Sequence, residues 1–471
     1  MSNAFFSVLT QSQIEDIHRA ALQVLHGTGV RVESQELLSL LGEFGGEPDF
    51  EDQRIRFSPP WIEQFLAESE KYDWSCHQPS FRCSVGIYQG LYLDPETDQL
   101  QPFTEETLRD YIRVGNALPE VNFVGMLGVP FEPDWVPAAY TPLAEKLYAW
   151  KYGARPYGTV QFTGLCPYLE EIYARYAEET GRPLTEVFGA TGYLLSPLRL
   201  ARSECEQLLS FKSRGLRMGI GHMLSLGLST PVTIAGAAVE KLAESLFLSI
   251  LHRALWGGRG FSLGGFGVVG EMRTARSMGG RPERSTVEIV LAQIARWYGV
   301  RSGGGGGLSD AKEPSPQAGM QKALASAIAV CACGSAELDA GLLSLDEINS
   351  PEQMIHDAEL TGALQHLLRP VEVTAETLAV DDIASVGPGG NFMGSTLTAQ
   401  HFRQDLWQPS IWDWQVLPEW LTSGAHSDRR RAKKRIQEIL SSPPPEPGIS
   451  EELEEDLRAI IARAVAANAA D

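Results

Sequence analysis

The 471-residue sequence predicts an α/β protein whose main domain is a (β/α)8 TIM barrel. From about residue 104, short apolar runs alternate with helical patterns, and seven or eight such units fill the roughly 250 residues that a barrel uses. The alternative is an open doubly wound sheet. It would require an early strand, a glycine turn and a helix, followed by an acidic residue, and the sequence has no such unit. We therefore divide the chain into an N-terminal α/β extension (1–100), the barrel (101–370) and C-terminal helical segments packed on the barrel (371–471).

The sequence of the N-terminal extension predicts short helices and strands. Apolar residues recur at helical spacing in residues 9–41, which indicates two helices, and Gly27-Thr28-Gly29 provides a left-handed cap for the first. Val30–Val32 and Arg54–Phe57 are typical of short strands, and Pro59-Pro60 begins another helix.

The barrel region predicts strands that are mostly followed by helices. The strand candidates are Val121–Gly128, Arg155–Phe162, Val187–Leu194, Arg217–Met223, Gly260–Phe266, a short piece near Gly299–Ser302, and Glu337–Ser344. The helical candidates are Thr141–Tyr152, Tyr168–Glu179, Arg202–Arg214, Ile234–Leu255, Ser285–Trp297, Gln317–Val330 and Pro351–Leu367. Beyond residue 370 we expect shorter elements, with helices at Thr398–Leu406 and Ile449–Ala467.

Charge and composition exclude several classes of protein. Sixty Asp and Glu against 39 Lys and Arg give a net charge of −21, and the short basic run Arg429–Arg435 predicts one solvated helix face. Nucleic-acid binding is excluded because it requires a concentrated basic surface. No apolar run is long enough for a membrane span and the N-terminus lacks the order of a signal peptide, so we expect a cytoplasmic protein with six reduced cysteines.

Aromatic residues stand where several predicted strands end. Barrel enzymes carry their function at the C-terminal ends of the strands, and Phe162, Tyr193 and Phe266 all occupy such places. Ring faces around one mouth suit a quaternary ammonium ion, which has no N–H to donate. The alternative is that the three rings belong to the core.

Polar candidates lie at the same end of the predicted strands. His222 follows a glycine-flanked strand and suits either a substrate carboxylate or a structural link. The run Gly303–Gly307, with Gly305 at its centre, suits either a linker or a close approach of backbone to ligand. Asp310 organises a turn or adds negative potential, and Lys312 is solvated unless burial makes it a Schiff-base amine. No spacing of His, Cys or carboxylates predicts a metal site.

Several strings in order resemble the trimethylamine methyltransferase family, which are corrinoid-dependent methyltransferases. The likeness spans nearly the whole chain. The strings that carry it are Leu9-Thr10-Gln11-Ser12-Gln13-Ile14, Thr230-Pro231-Val232-Thr233-Ile234-Ala235-Gly236-Ala237 with Ala243-Glu244, Ser309-Asp310-Ala311-Lys312 with Gln317-Ala318-Gly319, and Gly387-Pro388-Gly389-Gly390-Asn391-Phe392-Met393-Gly394 with His401-Phe402 and Asp405-Leu406-Trp407.

The resemblance implies a (β/α)8 barrel that presents a methylamine to the Co(I) of a corrinoid (cobalamin) carried by a separate protein. Residues 301–345 contain only ordinary amino acids, so the chain is similar to the pyrrolysine-free branch, whose substrates are quaternary amines with glycine betaine as first choice. One departure is Leu397-Thr398, where many relatives have His-Thr; it favours a different quaternary amine. We also expect a homo-oligomer.

These expectations assign roles to eight residues. Phe162, Tyr193 and Phe266 form the ammonium cage and Asp310 adds negative potential. His222 and Arg301 are the candidates for a carboxylate clamp, and Gly305 and Asn391 are further substrate contacts. Two other functions stay open: a non-catalytic quaternary-amine sensor on the same barrel, and a barrel lyase that uses Lys312.

Overall fold

The computed structural model describes residues 6–158, 160 and 162–468. Its α-helices are α1 (Gln11–Gln23), α2 (Gln35–Glu43), α3 (Pro59–Ala67), α4 (Glu105–Asn116), α5 (Thr141–Tyr152), α6 (Cys166–Thr180), α7 (Leu184–Val187), α8 (Arg202–Ser213), α9 (Ile234–Trp256), α10 (Pro282–Tyr298), α11 (Pro316–Cys333), α12 (Pro351–Leu367), α13 (Val380–Val386), α14 (Thr396–Asp405), α15 (Leu417–Thr422), α16 (Asp428–Ser441) and α17 (Glu451–Asn468). None of the described helices is long and apolar enough to cross a membrane.

The strands are short, as expected for a parallel sheet interrupted by helices. They are β1 (Val30–Val32), β2 (Glu47–Asp49), β3 (Arg54–Arg56), β4 (Ser80–Ile87), β5 (Leu91–Leu93), β6 (Leu100–Pro102), β7 (Phe123–Met126), β8 (Arg155–Pro156), β9 (Thr191–Leu194), β10 (Arg199–Leu200), β11 (Gly219–His222), β12 (Ser225–Leu226), β13 (Ser262–Gly264), β14 (Val268–Glu271), β15 (Arg276–Met278), β16 (Arg301–Gly306), β17 (Ser335–Ala340), β18 (Leu342–Leu343) and β19 (Ile348–Asn349).

Eight parallel strands form the centre of the molecule. Six of them are hydrogen-bonded in the order β13-β16-β17-β4-β7-β8, and β9 and β11 form a separate parallel pair. Because β17 pairs with β4, the last of the eight strands lies beside the first. The structure therefore has a curved parallel sheet with helices outside it, as expected, but among the described residues no hydrogen-bonded ladder joins β8 to β9 or β11 to β13, and the predicted closed barrel stays a prediction.

Each of the seven strands expected in the barrel region overlaps an observed strand of the central sheet, although the bounds differ, most of all for β16 and β17. The eighth, β4, was not predicted and lies before residue 101, so the central sheet reaches back to Ser80. The domain boundaries therefore stay predictions. The glycine run, which suits either a linker or a close approach of backbone to ligand, is for the most part in β16, where Gly303–Gly306 pair with the neighbouring strands.

The two faces of the central sheet differ in their side chains. Val85 and Val124 face α4, where they meet Gly115, so these positions point outward. Gly304 likewise packs on α11, because a Cβ at Gly304 would lie 2.6 Å from the Cβ of Ala329. Since side chains alternate along a strand, Gly303 and Gly305 face the inside.

The N-terminal extension and the last two helices are packed on the helical layer. The Gln293 side chain of α10 accepts hydrogen bonds from the Val8 and Leu9 amides at 2.9 and 3.0 Å. At the other end of the chain, the Arg429 guanidinium of α16 pairs with Glu352 of α12 at 2.5 Å. By contrast, α13, α14 and α15 contain no buried residue.

Two glycine substitutions test which face of β16 packs against helix. A Cβ at Gly304 would meet Ala329 at 2.6 Å and the Cys333 sulfur at 3.2 Å, whereas a Cβ at Gly303 would meet no heavy atom within 4 Å. We expect Gly304→Ala to lower the free energy of unfolding by about 1–3 kcal/mol, the usual cost of overpacking. Gly303→Ala is the matched control and should change it by less than about 0.5 kcal/mol. Urea unfolding measures both, and equal losses would contradict the assignment of faces.

Candidate functional site

The inner face of the central sheet encloses a space that we call the lumen. An ordinary barrel fills this space with bulky branched side chains. Here the inward positions carry many glycines, identified by the strand registers and by the outward contacts of their neighbours. They are Gly86, Gly125, Gly219, Gly221, Gly264, Gly303 and Gly305. Gly264 and Gly303 border open space, since a Cβ there would meet no heavy atom within 4 Å, whereas the side chains of Tyr88, Tyr157 and Arg284 lie over Gly86, Gly125 and Gly305.

Carboxylates line one wall of the lumen. Glu337 and Asp339 of β17 face inward with Ser84 of β4, whose hydroxyl donates to them at 2.8 and 3.3 Å. The Arg82 guanidinium pairs with Glu337 at 2.8 Å, but no cation pairs with the Asp339 carboxylate in the part of the chain that the structure describes. Burial, and next the Glu337 charge, raise the pKa of Asp339 to about 6.

Tyrosine rings complete the wall near Asp339. Tyr193 faces the lumen on β9, and Tyr157 follows β8; their residues are 45% and 43% exposed, so ring surface is available to a ligand. Tyr88 follows β4 and lies close enough to Asp339, Asp346 and Tyr193 for their charges to act on it. Burial and these charges raise the pKa of Tyr88. Ring faces and carboxylates together favour a cation without N–H groups.

The lumen continues, past Gly221 and Gly264, into a space that we call the basic cleft, which opens where β11 and β13 are not paired. Its volume is about 820 Å³. The cationic side chains of its lining are those of Lys71, Arg217, Lys241 and Arg301, together with His222 and His252. Glu70 is the acidic residue of this lining. The basic cleft therefore has a positive charge in a strongly acidic chain.

A buried network holds His222 at the inner end of the basic cleft. The His222 Nδ1–H donates to the Glu244 carboxylate at 2.7 Å, and Lys241 Nζ donates to His222 Nε2 at 2.7 Å. Glu244 also accepts from the Ser196 hydroxyl and the Leu198 amide, which fixes its position. Burial lowers the pKa of Lys241 to about 8. Burial, and next the Lys241 charge, lower the pKa of His222, so its ring is neutral at pH 7.

An ion pair replaces backbone pairing between β13 and β16 beyond Gly264. The Arg284 guanidinium donates to the carbonyls of Gly267 and Gly305 at 2.8 and 2.7 Å. The Gly305 amide donates to Glu288, which pairs with Arg284 at 3.3 Å. These two buried side chains satisfy backbone groups that the separated strands leave unpaired.

The structure places the predicted cage residues in different surroundings. Tyr193 is on the lumen face, whereas Phe266 is 4% exposed within the hydrophobic core and Phe162 packs edge-on against Tyr140. No ring contact among the described residues joins the three. Their predicted role stays a hypothesis, which the geometry favours for Tyr193.

The other predicted site residues also lie in different parts of the structure. Gly305 is on the lumen face, and His222 and Arg301 both line the basic cleft, at the last position of β11 and the first of β16. Asp310 accepts from the Gly279 and Gly280 amides at 2.8 and 3.1 Å, which is the turn-organising alternative. Asn391 is exposed and accepts from the Met393 amide at 3.2 Å.

The structure shows the surroundings of Lys312 and how the possible metal ligands are grouped. The Lys312 amine is exposed and donates to the Asp310 carbonyl at 2.8 Å, so nothing desolvates it for Schiff-base chemistry. Among the described residues, no group of three His, Cys, Asp or Glu could hold a metal ion.

Sequence reasoning missed Lys241, Glu337, Asp339 and the lumen tyrosines other than Tyr193. One signal was present: Lys241 and Glu244 interrupt the long, mostly apolar helix α9, where a charge on the buried face requires a partner. For Glu337 and Asp339, alternation within Ser335–Ala340 put both residues on one face, but only β4 and the glycines show that this face borders the lumen.

Comparison with known proteins defines the class. The model of the trimethylamine methyltransferase (MTTB) family matches residues 187–468, and the chain belongs to this family. It is therefore a methyltransferase.

Several curated relatives match nearly the full length. Trimethylamine methyltransferase MttB of Desulfitobacterium hafniense is 25% identical over 96% of this chain and 92% of its own. Glycine betaine methyltransferase from another strain of that species is 24% identical over 97% of both chains. The crystal structure of the Methanosarcina barkeri monomethylamine methyltransferase (MtmB) is 12% identical, with a TM-score of 0.46 over 96% of this chain and 92% of that one.

The His222 network predicts the direction of two pKa changes. Lys241→Gln removes a positive charge 2.7 Å from the ring and should raise the pKa of His222. Glu244→Gln removes the negative charge on the other side and should lower it. NMR titration of labelled histidine measures both shifts. Lys212→Gln, where the amine donates only to the Leu255 carbonyl, is the control and should leave the value unchanged. The same direction in both variants would contradict the network.

Proposed function

We propose that this methyltransferase moves a methyl group from a small quaternary amine, glycine betaine first, to the Co(I) of a corrinoid held by a separate protein. The observation that carries the proposal is the glycine-lined inner face of the central sheet, with exposed tyrosine rings and the Asp339 carboxylate on it. Family membership and the similarity to a glycine betaine methyltransferase support the substrate class.

The cation would bind between Tyr193, Tyr157 and the carboxylates of β17. A quaternary nitrogen cannot accept or donate a hydrogen bond, so recognition relies on ring faces and on negative potential. Asp339 is suited to this task because no cation neutralises its carboxylate among the described residues, whereas Arg82 already pairs with Glu337. The predicted cage thus keeps Tyr193 and gains Tyr88, Tyr157 and Asp339.

The carboxylate of a betaine would point through the opening between β11 and β13, towards His222 and Lys241 on the α9 side of β11. The proposal keeps His222 there and adds Lys241, whose amine is buried and has no carboxylate within 4.0 Å in the described chain. A charge-assisted hydrogen bond from Lys241 would distinguish betaines from choline, which has no carboxylate. Arg301, the other predicted clamp residue, is the first residue of β16, whereas the mouth lies beyond Gly306, the last residue of that strand. We therefore do not include Arg301 in the proposed carboxylate site.

The reaction requires positioning rather than proton transfer. The acceptor's Co(I) electron pair forms a bond to one N-methyl carbon, the C–N bond breaks, and its electron pair leaves with a neutral tertiary amine. Because this leaving group needs no proton, no general acid is required. The chain's contribution is to hold the ammonium, exclude water and expose one methyl group at the C-terminal mouth.

Exposed apolar side chains lie beyond β11, β12 and β14, on one side of that mouth, and support a protein partner there. Met272 and Val232 lie beside Gly227 at the ends of neighbouring strands, and Met223 follows β11. Met223 and Val232 are 64% and 65% exposed. An apolar rim beside a polar opening is typical of a docking surface, and we assign it to the corrinoid protein, in the cytoplasm.

The second candidate function is a quaternary-amine sensor that binds without methyl transfer. The exposed fraction of Tyr193 and Tyr157 is compatible with either function. Methyl transfer is distinguished by the spectral change that accompanies methylation of the Co(I) corrinoid.

A substrate panel tests the proposed reaction. Purified protein is mixed with a Co(I) corrinoid protein and glycine betaine, proline betaine, carnitine, choline or trimethylamine, and methylcobalamin formation is followed by absorbance. We expect a betaine to give the fastest conversion and trimethylamine to give none. Calorimetric binding of a betaine without any conversion would instead support the sensor.

Ionisation of Asp339 predicts the pH dependence of substrate binding. Its pKa of about 6 lies above that of an ordinary Asp, so the carboxylate is charged above pH 6 and neutral below it. The Michaelis constant for the quaternary amine should therefore rise as the pH falls through about 6. Asp339→Asn should show the higher value at all pH values. Asp310→Asn serves as the control, and an unaltered profile in Asp339→Asn would contradict the assignment.

Loss of one ring should weaken substrate binding. Tyr193→Ala removes a contact of about 1–2 kcal/mol and should raise the Michaelis constant roughly tenfold. Tyr193→Phe keeps the ring face and should retain most of the affinity. A Michaelis constant in Tyr193→Ala equal to that of the unaltered protein would remove Tyr193 from the cage.

We also propose a homo-oligomer, because the segment from 371 to 422 exposes a large apolar surface. Its Met393 and Trp414 are 90% and 65% exposed, and its three helices bury nothing. Light scattering should give a multiple of the monomer mass. Val416→Asp should lower that mass, whereas Met320→Asp, an exposed apolar residue on α11, should not. A monomer at micromolar concentration would contradict the proposal.

A further inference from the structure

The basic cleft contains more positive charge than the proposed methyl transfer requires. Of its lining residues, Lys71, Arg217, Lys241 and Arg301 are cationic and Glu70 is anionic, so the net charge is 4 − 1 = +3 with neutral histidines. None of the four cations has a carboxylate within 4.0 Å among the described residues, although the chain carries 60 Asp and Glu. Four cations that lack carboxylate partners repel one another, although this acidic chain has many carboxylates that could neutralise them. A bound anion would remove this repulsion.

We call the part of the cleft near Arg217 and Arg301, where β11 and β16 begin, its outer end. Two of the cations, Arg301 and Lys71, are held in place there. The Arg301 guanidinium stacks over the Tyr72 ring at 4.7 Å. Lys71 Nζ donates to the carbonyls of Leu66 and Tyr298 at 3.1 and 3.0 Å, which joins the ends of two helices. Arg217 precedes β11 and has no hydrogen bond within the described chain, so its five N–H donors face the cleft or solvent.

Glycines keep the outer end of the cleft open. A Cβ at Gly257, Gly258 or Gly260 would meet no heavy atom within 4 Å, so no side chain of the loop fills this part of the lining. Gly257 and Gly258 have φ angles of +73° and +86°, which favour glycine. The Ser262 hydroxyl lies beside them on the lining. Backbone and hydroxyl donors can therefore approach an anion closely.

The titratable groups of the cleft respond to the same positive potential. Burial, and next the Arg217 charge, lower the pKa of His252. At the inner end the pKa values of His222 and Lys241 are also lowered. A bound anion would act in the opposite direction on all three groups.

The outer end is too far from the methyl-transfer site to bind the same ligand. Arg301 and Gly306 are the two ends of β16, five residues apart, which corresponds to about 16 Å at about 3.3 Å per residue. In glycine betaine a single carbon links the quaternary nitrogen to the carboxylate. A betaine bound at the C-terminal mouth therefore cannot reach Arg301.

We propose that the outer end of the basic cleft binds a phosphate-bearing small molecule with at least two negative charges, with Arg217 and Arg301 as its principal ligands. Guanidinium groups match the geometry of phosphate oxygens through paired N–H donors. The cleft volume of about 820 Å³ lies within the range of small-molecule sites. This site goes beyond the proposed methyl transfer and does not depend on it.

Calorimetry with inorganic pyrophosphate tests the site in the full-length protein, without any amine or corrinoid. We expect one pyrophosphate per chain, weaker binding of inorganic phosphate, and still weaker binding of citrate at constant ionic strength. Arg217→Gln and Arg301→Gln should each weaken pyrophosphate binding at least tenfold. Arg273→Gln is the matched control: this arginine is 91% exposed in its side chain, pairs with Glu271 beyond the other end of the strands, and should change binding less than twofold.

Two further measurements keep the result clear if a variant is unstable. Arg217→Lys and Arg301→Lys retain the charge but lose the paired donors, and should bind pyrophosphate with intermediate affinity. In the unaltered protein, pyrophosphate should raise the melting temperature and the pKa of His252. Absence of pyrophosphate binding, binding unaffected by both arginine substitutions, or tighter binding of citrate than of pyrophosphate would each overturn the proposal.

Discussion

Glycine on the inner face of the central strands is the constraint on which the remaining features of the site depend. A parallel barrel is normally stable because branched side chains from all strands fill its centre. Here glycines occupy many of the inward positions, and the core lies between the outer face of the sheet and the helices. The close approach of Gly304 to Ala329 belongs to this outer packing. Carboxylates and tyrosine rings, rather than branched apolar side chains, therefore line the inner face.

Removing inner side chains also affects the strands themselves. Beyond Gly264, β13 and β16 separate, and the buried Arg284–Glu288 pair takes over their backbone hydrogen bonds. A buried ion pair is stable only when its remaining donors and acceptors find partners, and the unpaired carbonyls of two strands provide them. Between β11 and β13 no such pair is inserted among the described residues, and the basic cleft opens at this interruption.

Charge is distributed unevenly over these two spaces. The lumen combines carboxylates with ring faces, whereas the cleft contains cations from α9, β16, the segment before β11 and the segment after α3 that have no carboxylate partner among the described residues. In the proposed reaction a zwitterion would bind near the opening between β11 and β13, with each end towards the opposite sign. That reaction would require no acid or base from the chain, since the leaving amine would be neutral. Specificity would then depend on the charges of the wall, and rate on how one methyl carbon is presented.

The sequence by itself determined the periodic part of this protein. Alternation of apolar runs and helical patterns located seven of the eight central strands, and family strings identified the methyltransferase class, because both depend on local patterns along the chain. It did not reveal β4, whose Ser80–Ile87 run resembles an edge strand until β17 and β7 pair with it on both sides. Nor did it select Asp339, Tyr88 and Lys241, and it placed Phe266 at a mouth where the structure has core. Which residues face a ligand depends on strand register, on which face borders the lumen and on the separation of β11 from β13, and these are set by contacts between segments far apart in sequence.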